Sequence, residues 1–239
     1  MDKRMKRFVT QGADLTDWQP STVYPLPEDV AHHVLHVMRM GPGDTLELMD
    51  RAQNLVSARL TAEGCLICLD HTTCPPHATR FQIHHGVALI KWPHFEWMLE
   101  KVAEIGISEL TPLCCERSVI RVRDWETKAE RLQKIITQAA RQSLNPTPPI
   151  LHAPMDVRTF VSSCDARSVY FAHPGTYPRL GEIAPSLEGD VRFVIGPEGG
   201  FSPQELAYLL SHATPVSLGT NVLRTETAAV ACAMTRMLF

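Results

Sequence analysis

The chain has 239 residues, a formal net charge of −3 at pH 7, and 44% hydrophobic and 21% charged residues. This is a globular balance with room for one large or two modest cores; it excludes a protein coated in basic groups, so nucleic-acid contact would fall to local patches. No apolar run is long enough to span a bilayer, the basic start Lys3-Arg4-Met5-Lys6-Arg7 lacks the apolar stretch of a signal peptide, and seven cysteines without scaffold spacing imply reduced thiols in a cytoplasm.

An extended Arg7-Phe8-Val9 opens the first region. A short helix is expected from Pro27 or Glu28 to Met40, stopped by Gly41 with Pro42 behind it. Residues 45–49, 55–60 and 65–69 alternate between polar turns, which predicts a small β-domain. Cys65, Cys68, His71 and Cys74 have the residue types of a zinc site, but residues 65–69 read better as a strand carrying small buried thiols. Residues 72–79, with Pro75-Pro76, are the expected linker.

From Phe81 onward strands and helices alternate, which predicts a parallel sheet. A strand over 84–90 leads to a helix from Pro93, with Phe95, Met98, Leu99, Val102 and Ile105 at helical spacing and Gly106 at its end. A strand over 110–115 follows, then a long helix over 125–144 stopped by Pro146, Pro148 and Pro149. Residues 169–173, 191–195 and 216–218 are three further strands, and an alanine-rich helix over 225–238 closes the chain.

Two segments carry the chemistry. In the first, Val191, Phe193, Val194 and Ile195 run into Gly196, Gly199 and Gly200, where the bare backbone turns sharply and can approach a ligand. Ser202, Pro203 and Glu205 then form a helix start: capping serine, first-turn proline, and a glutamate three residues after the cap. The second segment, Leu218-Gly219 to Leu223-Arg224-Thr225, repeats the design about twenty residues later. Two such loops point to one small-molecule cradle at the carboxyl end of a sheet. A P-loop is excluded because Gly200 is followed by Phe201-Ser202 rather than lysine and a hydroxyl. The dinucleotide fingerprint is excluded because Gly196-Pro197-Glu198 breaks its spacing.

These segments belong to an ordered set of blocks. Gly196-Pro197-Glu198-Gly199-Gly200-Phe201-Ser202, Leu218-Gly219 and Leu223-Arg224-Thr225-Glu226-Thr227-Ala228 are preceded by blocks at residues 33–44 and 99–106, by Pro112-Leu113 and by Glu116-Arg117-Ser118. Over nearly the whole chain, this set resembles the ribosomal RNA small subunit methyltransferase E family of the SPOUT superfamily, which makes N3-methyluridine in 16S rRNA. The resemblance implies an α/β fold: a SPOUT-type parallel sheet with a C-terminal trefoil knot (residues 73–239), preceded by a PUA-like β-barrel RNA-binding domain (residues 1–72). It also implies S-adenosylmethionine as cofactor, a homodimer, no metal, and 16S rRNA or the assembled small subunit as partner.

Site residues follow from the same resemblance. Leu218, Gly219 and Leu223 are expected around adenine, and Ile195, Gly196 and Gly199 around the ribose and methionine part. His173, Pro197, Gly200, Arg224 and Thr225 complete the cofactor set. Uridine N3 is a poor nucleophile until its weakly acidic proton leaves, so a catalyst should stabilise charge spreading to the neighbouring carbonyl oxygens and accept that proton. Arg224 is the expected charge stabiliser, and Glu198 or Glu226 the proton acceptor; each carboxylate also reads as a helix-start group facing the macrodipole. RNA contacts are expected from Arg4 and Arg7, from Arg39 and Lys91, and from Arg117, Arg121 and Arg123, which share one face if that stretch is extended. One departure stands out: the family usually shows Glu-Gln-Ser-x-Arg where this chain has Arg141-Gln142-Ser143-Leu144-Asn145. It leaves open a rival reading, an RNA-binding assembly factor of the same fold that has lost catalysis.

Overall fold

The structure is a computed structural model of the chain and describes residues 5–73, 81–122, 124–164 and 168–238. It divides into two compact units, Met1–Ala78 with Arg141–Thr147, and Thr79–Ala140 with Pro148–Phe239.

In the first unit, β1 (Lys6–Val9), β2 (Val23–Pro25), β3 (Thr45–Met49), β4 (Asn54–Leu60) and β5 (Cys65–Thr73) form a mixed sheet in the order β1-β3-β4-β5-β2. Leu46, Leu48, Val56, Ala58, Leu66 and Cys68 alternate onto one buried face, the period-two pattern of a half-buried strand. The thiol of Cys68 is therefore core rather than ligand, and burial raises its pKa. Cys74 lies outside the described residues. Helix α1 (Glu28–His32) continues as a π-helical turn over His33–Val37. The helical run thus ends before the expected Met40, and the left-handed residue after it is Arg39, at φ 51°, rather than Gly41. The stop comes early because Met38 N–H closes onto His33 O and Met40 N–H onto Val34 O, which uses up the last carbonyls.

The second unit alternates strands and helices as its sequence predicts. It adds an unexpected strand at Ile150–Leu151 and unexpected helices at Val157–Ser162 and Leu180–Ile183, and its last strand is Thr214–Val216 rather than 216–218. β6 (Phe81–Ala88), α2 (Trp92–Ile105), β7 (Glu109–Leu113), α3 (Trp125–Gln142), β8 (Ile150–Leu151), α4 (Val157–Ser162), β9 (Val169–Ala172), α5 (Leu180–Ile183), β10 (Gly189–Ile195), α6 (Pro203–His212), β11 (Thr214–Val216), α7 (Thr225–Ala233) and α8 (Thr235–Leu238) follow in order. The expected final helix is interrupted at Met234, the C-cap of α7. Among the described residues the sheet has six strands, all parallel, in the order β11-β9-β10-β6-β7-β8. Both faces are covered, as parallel sheets require. On one, Phe95, Met98, Leu99 and Val102 of α2 pack with Ala228, Ala229 and Ala233 of α7 over Ile83, Val87 and Phe193. The alanines let α7 lie close to α2, so their smallness is spent inside the unit. On the other face, Phe160 of α4 sits so close over Gly86 that a Cβ there would meet its ring at 2.6 Å. Only glycine fits.

His85 is the polar exception in the first core. It is fully buried between Ile83 and Val87, edge-on to Phe193, and neither ring nitrogen finds a hydrogen-bond partner among the described residues. Burial lowers its pKa to about 3, so the folded state holds it neutral. The unfolded chain takes up a proton near pH 6.5 that the folded chain refuses. His85 therefore costs no protonation energy above that pH and destabilises progressively as pH falls from about 6.5 toward 3. His85→Leu should raise the urea midpoint at pH 8 by removing two unsatisfied polar atoms, and raise it further at pH 5, where the proton linkage adds about 2 kcal/mol. An equal gain at both pH values would show that His85 titrates normally.

Candidate functional site

β9 lies between β11 and β10, so the loops after three strands distant in sequence emerge side by side at the carboxyl end of the sheet. They enclose a cavity of about 530 Å³. The β10 loop contributes Ile195, Gly196, Pro197, Glu198, Gly200 and Phe201. The β11 loop contributes Ser217 to Leu223, followed by Thr225 and Ala228 of α7. The β9 loop contributes His173 to Tyr177 and Arg179.

Backbone bonds lock the three together. Leu180 N–H donates to Ser217 O at 2.9 Å, and Ser217 N–H to Pro178 O at 2.9 Å, joining the β9 and β11 loops. Thr225 Oγ1 donates to Gly196 O at 2.8 Å, joining the start of α7 to the β10 loop. Gly219 adopts φ +133°, a conformation L side chains rarely take, with its Cα face open.

The β10 loop is held from outside as well. The helix start at α6 is a capping box: Ser202 Oγ accepts from Glu205 N–H, and Glu205 Oε2 accepts from Ser202 N–H at 2.8 Å. The second oxygen of Glu205 accepts from Glu116 N–H at 2.8 Å, and Arg117 Nη1 donates to Gly199 O at 3.1 Å. The segment after β7 is thereby tied to the glycine loop by two bonds.

Most expected cofactor residues line this cavity: His173, Ile195, Gly196, Pro197, Gly200, Leu218, Gly219, Leu223 and Thr225. Gly199 does not. Its carbonyl faces Arg117, and a Cβ there would meet the Arg117 side chain at 3.5 Å, ordinary contact. Arg224 is the exposed N-cap of α7, outside the lining but between Leu223 and Thr225, which line it. The two candidate carboxylates part company. Glu198 is exposed on the cavity wall, whereas Glu226 is buried at the start of α7 with Oε1 3.3 Å from His94 Nδ1. Not expected from the sequence are Ala172, Pro174 to Tyr177, Arg179, Phe201, Ser217, Thr220 to Val222 and Ala228. The signal for Pro174 to Tyr177 was present: Pro174-Gly175 directly after an apolar strand, the same grammar as the other two loops.

The expected RNA-contact residues are dispersed. Arg7 is paired with Glu47, its register partner across β1 and β3, at 2.8 Å. Arg39, Lys91 and Arg121 are exposed, Lys91 at the N-cap of α2. Residues 119–122 form no strand, yet Ile120 and Val122 pack on the core and leave Arg121 outside; Arg117 is on a turn and engaged with Gly199. Arg4 and Arg123 lie outside the described residues. Arg141, the departure from the family pattern, has its Nη2 3.8 Å from Asp29 Oδ2 within the first unit.

Residues 77–237 match the RNA methyltransferase domain family, and residues 26–64 the RNA methyltransferase PUA domain family. The class is thus an RNA methyltransferase with a SPOUT-type parallel α/β domain behind a PUA-like mixed-sheet domain. The chain is 30% identical over 219 residues to ribosomal RNA small subunit methyltransferase E of Rickettsia conorii, covering 87% of this chain and 86% of that protein. It is 26% identical to the Bacillus subtilis protein of the same name, over 88% of each. Among solved structures it is similar to a Legionella pneumophila methyltransferase in complex with the bound cofactor SAM, at 28% identity and a TM-score of 0.81 over 98% of each chain. A ribosomal RNA small subunit methyltransferase E from Neisseria gonorrhoeae shares the fold, at 24% identity and a TM-score of 0.78 over 98% of this chain and 97% of that one. The chain belongs to the ribosomal RNA small subunit methyltransferase E family.

The shared carboxylate of Glu205 makes a stability prediction. Glu205→Ala removes the acceptor for both Ser202 N–H and Glu116 N–H, and should lower unfolding free energy in urea by roughly 1–3 kcal/mol. Glu205→Gln, which keeps one acceptor oxygen, should lose less. A neutral alanine variant would show that water replaces both bonds.

Proposed function

We propose that this protein transfers a methyl group from S-adenosylmethionine to N3 of a uridine in 16S rRNA. The observation that carries the reading is the cavity itself, built by the loop blocks that define the family and within the usual size of a small-molecule site. Its residues fit the cofactor. Leu218 and Leu223 offer apolar contact to adenine, Ile195 and Gly196 lie where the ribose and methionine part would run, loop backbone groups offer hydrogen bonds, and Arg179 is a cation for the methionine carboxylate. The Legionella relative, solved in complex with SAM, supports S-adenosylmethionine as the cofactor.

When bound, the sulfonium supplies an electrophilic methyl, so that its S–C bond breaks as the N3–C bond forms. The chain's task is to make N3 nucleophilic. Glu198, exposed on the cavity wall, is the better placed acceptor for the N3 proton. Glu226, buried beside His94, is better suited to fixing the start of α7. Arg224 supplies positive charge to the uracil oxygens as N3 loses its proton. Arg141, one of the two departures, is paired with Asp29 in the first unit and does not line the cavity.

The wider reading is a cytoplasmic C2 homodimer, with residues 1–72 as the RNA-binding domain and residues 73–239 as the methyltransferase domain. The final helix would be threaded as a trefoil knot. Arg7, Arg39, Lys91, Arg117 and Arg121 are proposed RNA contacts, and the small subunit or its RNA the partner.

Gly219→Val should cut S-adenosylmethionine affinity at least tenfold by calorimetry, since a β-branched side chain is strained at φ +133° and would distort a residue of the cavity lining. Gly199→Ala should bind nearly normally, because its added carbon meets only Arg117. The reverse order would move the site off the β11 loop.

The function is tested by incubating the protein with small subunits and labelled cofactor, then digesting the RNA to nucleosides. N3-methyluridine is the expected product; a different methylated base, or tight RNA binding with no transfer, would overturn the assignment. In single turnover, Arg224→Ala should slow transfer by ~10²-fold or more with little change in RNA affinity. Loss of RNA binding in proportion to rate would make Arg224 a docking residue.

A further inference from the structure

Away from the cavity, three side chains of metal-ligating type converge on the other face of the sheet. His84 on β6, Glu109 on β7 and His152 just after β8 come from adjacent strands, with His84 in register with Glu109 and His152 N–H bonded to Leu110 O. His84 Nδ1 is 3.3 Å from Glu109 Oε2, and His152 Nε2 is 2.7 Å from the same oxygen. All three ligand atoms lie within 4.8 Å of one another. None lines the cavity.

We propose that His84, Glu109 and His152 bind a zinc ion. Two imidazoles and one carboxylate are a ligand set zinc takes with a water as fourth ligand. At zinc's bond lengths, two ligands of a tetrahedron stand about 3.3 Å apart. The His84–Glu109 spacing already has that value, and the His152–Glu109 contact, now 2.7 Å, opens by about 0.6 Å as the ion replaces the hydrogen bond. The outer partner is in place too. His84 Nε2 lies 2.7 Å from Thr111 Oγ1, so a His84 ligating through Nδ1 donates its remaining N–H to that hydroxyl. His84 is mostly buried, packed edge-on to Phe160, while His152 and Glu109 are each more than a third exposed, which admits the ion and its water. The neighbouring cation, Arg192, is occupied: its Nη1 donates to Phe160 O and Ser163 Oγ, and its guanidinium lies over the Phe160 ring. It weakens the site without closing it. Held on three strands, the ion would staple β6 and β7 to the short edge strand β8.

The test is zinc titration of the full chain against a chromogenic chelator, with cobalt absorption as a second probe. Wild type should hold one ion per chain, give a cobalt spectrum without a thiolate charge-transfer band, and unfold at higher temperature with zinc. His152→Ala and Glu109→Gln should each lose the site, and Thr111→Val should weaken it about tenfold. X-ray absorption of zinc-loaded wild type should show nitrogen and oxygen neighbours only, a readout that needs no variant to fold. Unchanged binding in both ligand variants, or sulfur in the shell, would overturn the proposal and assign the ion to cysteines.

Discussion

The hydrogen bond from Thr225 Oγ1 to the carbonyl of Gly196 is the contact on which the site depends. It joins the first residue of α7 to the first residue after β10, so the helix entering the core and the loop leaving the sheet share one fixed point. A partly buried hydroxyl–carbonyl bond of this kind contributes only about 1 kcal/mol net. Its weight is geometric. With that point set, Ala228 and Ala229 fall against α2, and Leu223 is left facing the cavity.

A second layer of restraint comes from Glu205, whose two oxygens serve two different segments. One closes the cap of α6 and the other takes the Glu116 N–H, while Arg117 reaches the Gly199 carbonyl. A loop rich in glycine has much backbone entropy to lose on ordering. Here its carbonyls and flanking amides are tied from three directions, so the bare backbone that admits a ligand is also held still. The segment after β7 and the glycine loop therefore move as one piece.

Much of this was legible in the sequence because it is written in local grammar. The Ser202-Pro203-Glu205 helix start, the apolar stripe of α2 closed by Gly106 and the strand over Val191 to Ile195 each follow from a spacing rule that needs no tertiary information. The β10 and β11 parts of the cavity lining were expected from the family resemblance rather than from spacing, and only in part. The β9 loop carried a local turn signal in Pro174-Gly175, but its place beside the other two loops depends on strand order, with β9 between β10 and β11, which that signal does not encode. Arg117 was read as a free basic group because its bond to Gly199 spans eighty-two positions. Glu198 and Glu226 looked equivalent as helix-start acids, and only packing against His94 separated them. The convergence of His84, Glu109 and His152 had no signature at all, since each stands alone in its own segment.

The sheet order has a consequence for biosynthesis. The cavity needs β9, β10 and β11 side by side and α7 laid against α2, so its walls are drawn from positions 173 to 228 and its backing from position 95 onward. A ribosome making this chain must release it through α7 before the pocket can close, and the contacts of α7 with α2 are long in sequence separation. Such topologies pay their loop-closure entropy late and fold slowly. Release of α7 thus marks the moment at which the nascent chain changes from a partly covered sheet into a molecule able to hold a ligand.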